Sequence, residues 1–385
     1  MNFKEFIDSF STGDSSWQES PVLSKRINMA KNVINGIYDN KRTIQTPEYL
    51  TDFGLRKTDS PRLFIEASCE KLNKRLPTDS ELKEELLSLD INNLGDWIDM
   101  VVLVLGKYDI CYEVLKARID NISSLSIANL IKMATLCGIE NDPQRAIKLF
   151  EIALKKCKDT ETREVISHRI NVTLLKRQKN IDMFFTQTNN MVTDIMYNPT
   201  FSKMVALLDN LVGLQLVLPN QKDHSRKLIL ARLLLANAKL LLNEALSNYN
   251  HVDEHLTELV RYYSQIAINQ VQIELELNNL NLAESIILKD IELVKKYNSE
   301  YLSEALSSLA YVYYAERNFQ SAVNTVIKAI HEHIKIGNIV GINESKKLLI
   351  VAMYKLGKQD CAQKLLNSMT SDPTGMSENY DQYYI

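Results

Sequence analysis

Proline is missing from the whole stretch between Pro219 and Pro373, and Gly337, Gly341 and Gly357 are its only glycines. Both residue types break helices, so their scarcity permits long helices and removes the turn chemistry that a strand-rich fold needs. Phosphate-cradling loops are missing too. The eleven glycines are scattered, and none falls into GxxxxGK, GxGxxG or GxSxG spacing. These absences argue against a nucleotide-dependent or serine-nucleophile enzyme and imply a binding protein with no cofactor. The five cysteines, Cys69, Cys111, Cys137, Cys157 and Cys361, are odd in number and show no CxxC spacing, which points to reduced structural thiols in a cytoplasmic protein. The longest aliphatic runs, 100–105 and 348–353, are far too short to span a bilayer. No charged-then-apolar leader opens the sequence, so no membrane partner is expected.

Net charge is also low, at −3 over 385 residues, which argues against general nucleic-acid affinity. The balance is uneven along the chain. Residues 25–75 carry eleven Lys/Arg against six Asp/Glu, which leaves the rest net acidic. Only this N-terminal region is suited to approach phosphate.

What the sequence does have is helical spacing of small and large residues. Leu306-x2-Leu309-Ala310-x2-Tyr313 is followed by Ala322-x3-Val326-x2-Ala329. The alanines let two antiparallel helices approach, and Leu306, Leu309, Tyr313 and Val326 fill the seam. This spacing resembles that of a tetratricopeptide helical hairpin. Further copies are anchored at Cys111, Ala146, Ala283 and Ala362, at separations of 35 to 40 residues, so some helices should exceed the standard length. The expected fold is all-α: a tetratricopeptide-like superhelix over 91–370, preceded by a helical region at 1–90 and followed by an acidic, tyrosine-rich tail at 371–385. Residues 162–250 are helical in period, but their repeats cannot be phased. Near the N-terminus, Thr46-Pro47, Ser60-Pro61 and Thr78-x-x-Glu81 mark helix starts.

Three constellations could carry chemistry. His251-Val252-Asp253-Glu254-His255 matches the HxxEH zinc spacing, but no third ligand can be named, and the acids suit a helix N-terminus equally well. No metal is expected, and His331 and His333, two residues apart, read as exposed residues at a helix end. On the first helices of the C-terminal hairpins, Gln265, Asn269 and Gln272 are spaced i, i+4, i+7. Ser307, Tyr311 and Tyr314 repeat that spacing, as do Lys347, Val351 and Tyr354. Each set lies on one helical face, and amides with tyrosines suit an extended peptide backbone. Finally, 46–53 and 61–71 read as a degenerate helix-turn-helix, with Arg56, Lys57 and Arg62 near the start of the second helix where DNA contacts would fall.

A mildly basic helical N-terminal region followed by over-long hairpins resembles the peptide-pheromone receptors of Gram-positive bacteria and their phages, most like the arbitrium-type receptors of SPβ-like phages. The residues that carry it are those of the repeats, at 306–329 and 354–366. The resemblance implies a homodimeric, cytoplasmic quorum-sensing regulator of transcription and phage lysogeny, holding a short signalling peptide in the repeat groove and operator DNA at the N-terminus. The competing expectation is a non-enzymatic scaffold for a protein partner, with DNA binding lost.

Overall fold

The computed structural model describes residues 1–10, 21–38, 60–118, 125–197, 213, 224–247, 254–297 and 301–385. Among these, the regular structure is helical throughout and no strand occurs. The described residues form two compact units, Met1–Gln187 and Thr188–Ile385.

In the first unit α1 spans Phe3–Asp8, α2 Pro21–Tyr38, α3 Ser60–Lys71, α4 Asp79–Ser88, α5 Ile91–Leu105 and α6 Tyr108–Arg118. They are followed by α7 at Ile127–Ile139, α8 at Pro143–Lys156, α9 at Thr160–Thr173 and α10 at Ile181–Tyr197, within which the unit ends. The Thr78 capping box opens α4 as its spacing demands: the hydroxyl accepts from Glu81 N–H, and the Glu81 carboxylate accepts from Thr78 N–H. α5 is the centre of the unit. Its run from Met100 to Leu105 has no polar face and is buried all round, with α2, α3, α4, α6 and α7 packed against it. Gly106 ends the helix at φ 61°, and a Cβ there would lie 2.9 Å from the Arg62 backbone nitrogen. The start of α3 therefore rests directly on the α5–α6 turn. Between α9 and α10 a π turn, Leu174–Gln178, closes on Lys179 at φ 52°.

The second unit contains α11 (His224–Ser247), α12 (Glu254–Glu276), α13 (Leu280–Lys296), α14 (Leu302–Ala315), α15 (Phe319–Lys335), α16 (Ile339–Lys355) and α17 (Gln359–Ser371). Neighbours in sequence are neighbours in space: each helix packs on the next. The seam read from the sequence is buried, with Ala310, Ala322, Val326 and Ala329 inaccessible and Leu306 and Leu309 nearly so. α12 also touches α14, and α14 touches α16. Four of the tight turns place a residue in the left-handed region: Asn278, Arg317, Gly337 and Gly357. Arg317, at φ 62°, has a Cβ to accommodate there. Arg317→Gly is expected to raise the stability of this hairpin by about 1 kcal/mol, read as slower hydrogen exchange in α14 and α15; unchanged or faster exchange would show that the turn carries no strain.

The tail packs against the last hairpins. Asp372 accepts from the N–H groups of Thr374, Gly375 and Ser377, and buried Tyr380 donates its hydroxyl to the Gly375 carbonyl at 2.7 Å. Tyr380 and Tyr383 join the core formed by α15, α16 and α17. The Asn324 side chain holds Ile385 from both sides of its backbone, accepting from N–H at 3.0 Å and donating to the carbonyl at 2.9 Å.

Candidate functional site

On α12 the sequence buries Ile266, Ala267, Val271 and Ile273. The helical period then leaves Gln265 and Gln272 exposed and Asn269 half-buried on the other side. α14 repeats this arrangement. Ala305, Leu309 and Val312 are buried, while Tyr311 is 56% exposed and Tyr314 half-buried. The two rings lie 6.4 Å apart, and Tyr314 is also braced by Phe319 at 5.4 Å. On α16, Lys347, Val351 and Tyr354 are exposed, Tyr354 by 60%. The Lys347 ammonium is engaged by Glu344 at 2.6 Å, a surface pair on the same helix. Because α14 touches both α12 and α16, the three sets occupy neighbouring helices. Together they offer amide donors and acceptors beside amphipathic rings.

Ser307 has a different role from the other members of its set. Its hydroxyl donates to the Ser303 carbonyl at 2.9 Å and lies 3.2 Å from His333 Nε2 and 3.0 Å from Ser345 Oγ. With its proton on the Ser303 carbonyl, Ser307 accepts from the His333 Nε2–H, which leaves His333 Nδ1 bare. That nitrogen is buried and has no hydrogen-bond partner among the described residues. Ser307 thus joins α14 to α15 and α16.

His333 itself corrects the expectation of an exposed helix end. It is buried, and burial pushes its pKa down to about 4, so the ring is neutral at physiological pH. The reason is register: Val326, Ile330 and His333 are spaced i, i+4, i+7 on the inner face of α15. His331 is half-exposed and lies 3.5 Å from Asp381 of the tail.

Of the proposed DNA contacts, Arg56 and Lys57 lie outside the described residues, as does the expected helix at 46–53. Arg62 stands in the first turn of α3, half-buried, with Nε 3.7 Å from Glu66. His251 is also outside the described residues, and among those described no group of three His, Cys, Asp or Glu could hold a metal ion. The thiols are poor nucleophiles: burial pushes Cys69 up to about 11, against the opposing pull of Lys74, and Cys137 up to about 12. No described helix is long and apolar enough to cross a membrane.

Two groups of polar residues escaped the sequence reading. One is Asn324, whose grip on Ile385 depends on a contact 61 residues away. The other is the α11–α12–α13 junction, where the Arg232 guanidinium meets buried Glu274 at 2.7 Å. Nothing in the local pattern marks either, because each partner comes from a different element. No family model matches this chain, and no curated protein matches it.

Proposed function

We propose that the second unit is a tetratricopeptide-like superhelix that holds a short extended peptide across α12, α14 and α16. In this reading the chain is a homodimeric, peptide-responsive transcription regulator of the arbitrium-receptor type. The observation that carries the proposal is the recurrence of exposed amide and aromatic side chains, Gln265, Gln272, Tyr311 and Tyr354, in matching register on helices that touch one another. Amides clamp a peptide backbone through paired donor and acceptor, and tyrosines bury apolar area at low entropic cost. Asn324 performs that clamp on the chain's own backbone at Ile385, an internal example of the same chemistry.

The test is binding of the full-length protein to an array of short synthetic peptides, followed by calorimetry on the tightest. Tyr311→Ala and Tyr354→Ala should each weaken binding by about tenfold or more, and Gln272→Ala by less. Full affinity in both tyrosine variants would remove this face from the site. A second reading, a scaffold for a protein partner with DNA binding lost, is favoured by one observation: Arg62 is engaged by Glu66 on a helix whose start rests on Gly106. Salt-dependent retention of duplex DNA that falls with Arg62→Ala supports the regulator; no retention at low salt supports the scaffold.

A further inference from the structure

A cavity of about 580 Å³ opens at the turn between α12 and α13, lined by Arg232, Asn278, Asn279, Leu280, Asn281 and Leu282. It is within the size range of small-molecule sites, and it includes none of the side chains of the proposed peptide face. Its polar groups are held from behind by one buried carboxylate. Glu274 is almost inaccessible, yet it accepts from Arg232 Nε through Oε1 at 2.7 Å and from Asn279 Nδ2 through Oε2 at 2.8 Å. A carboxylate withdrawn from water needs such partners, and here they fix an arginine and an amide at the cavity wall.

The consequence lies in what those two residues have left to offer. Arg232 keeps 43% of its side chain exposed, and its terminal Nη groups have no other partner among the described residues. With Nε taken by Glu274, these two donors form the remaining edge of a guanidinium, which matches two oxygens of one oxyanion. Asn279 is the residue that precedes α13, and its side chain makes no cap because its amide serves Glu274. The first-turn N–H groups of α13, on Leu280 and Asn281, are therefore left uncapped beside the cavity. Asn278 and Asn281 add amide donors on the same wall. Guanidinium, uncapped helix start and amides all donate. The only carboxylate near them, Glu274, faces away and is already paired.

We propose that this cavity binds a small oxyanion ligand, a phosphate monoester or a carboxylate, held by the Arg232 Nη groups with the N–H groups of Leu280 and Asn281. The site is distinct from the peptide face, so each can fail without the other. Equilibrium dialysis of the full-length protein against radiolabelled inorganic phosphate, and separately against radiolabelled acetate, at constant ionic strength, tests it. Saturable one-to-one binding of either anion is expected, and the better of the two identifies the source. Arg232→Gln should weaken that binding by about tenfold or more, equal to roughly 1.4 kcal/mol. Because Arg232→Gln also strips Glu274 of its partner, Asn281→Asp is the second arm. It sets a negative charge in the cavity without touching the buried pair, and should abolish binding while leaving the thermal midpoint unchanged. No saturable binding of either anion, or binding that survives Asn281→Asp in the folded protein, overturns the proposal.

Discussion

Lys132→Ala is expected to lower the stability of the first unit by about 3–5 kcal/mol, enough to leave a large fraction of it unfolded at moderate temperature. Lys132 is buried in α7 with its ammonium 2.6 Å from Asp96 and 3.4 Å from Asp99 of α5. Asp99 is fully buried, on a helix whose other residues are almost all apolar. Taking away the cation leaves that carboxylate in a low-dielectric interior without its countercharge, and the penalty is the desolvation of a charge rather than the loss of one contact. Lys132→Met, which keeps most of the volume, should be nearly as damaging for the same reason. Lys132→Met combined with Asp99→Leu should recover much of the loss, since a buried pair replaced by apolar side chains is often neutral or better. Trp97, buried in the same helix, gives a fluorescence probe local to this unit, so urea unfolding can be followed there without assuming that the two units melt together. A Lys132→Ala midpoint within experimental error of the parent would show that water reaches Asp99 and that the charges are not in a dry interior.

Much of this architecture can be read from the sequence, because it depends on local rules. The alanines at 310, 322 and 329 are buried as their spacing requires, and Thr78 caps α4 through the reciprocal pair with Glu81 that its motif implies. Exposure of Gln265, Gln272, Tyr311 and Tyr354 follows from the same period, since the residues opposite them are apolar and buried. The polar interior is harder to read. Lys132, Lys346 and His333 are all buried, although residue type alone places them outside. Their burial is decided by partners in other elements: Asp96 and Asp99 for Lys132, the Tyr380 ring at 5.9 Å for Lys346, and Ser307 for His333. Ser307 illustrates the limit. Its periodicity puts it in a recognition stripe, but partners 26 and 38 residues away make its hydroxyl a link between helices. Arg232 and Glu274 were hidden for the same reason, since only the packing of α11 on α12 brings them together.

Gly341→Ala is expected to destabilise the α14–α16 region by about 2–4 kcal/mol, although Gly→Ala in a helix ordinarily stabilises by up to about 1 kcal/mol. Gly341 lies in the first turn of α16 at a point where the buried His333 ring closes against its Cα. A Cβ would lie 2.3 Å from both Cε1 and Nδ1 of that ring, and 2.8 Å from Asn338 Nδ2. Neither neighbour can give way cheaply. His333 is tied through Nε2 to Ser307 and through it to Ser345, while Asn338 caps α16 by accepting from the Gly341 N–H itself at 3.0 Å. The added methyl therefore sets the cap against the serine–histidine link, and relaxing either one costs a hydrogen bond as well as packing. His333→Ala alone should cost stability by leaving a cavity and removing the partner of Ser307. In the presence of Gly341→Ala it should instead be favourable, because it vacates the space that the methyl needs. The double variant is then more stable than the Gly341→Ala single variant, with a coupling of about 1–3 kcal/mol. Hydrogen exchange resolved to peptides of α14, α15 and α16 reads this directly. Additive effects would mean that the ring and the new methyl do not meet. Exchange slowed by Gly341→Ala would mean that position 341 behaves as an open helical site, and the close approach of α15 and α16 would have to be abandoned.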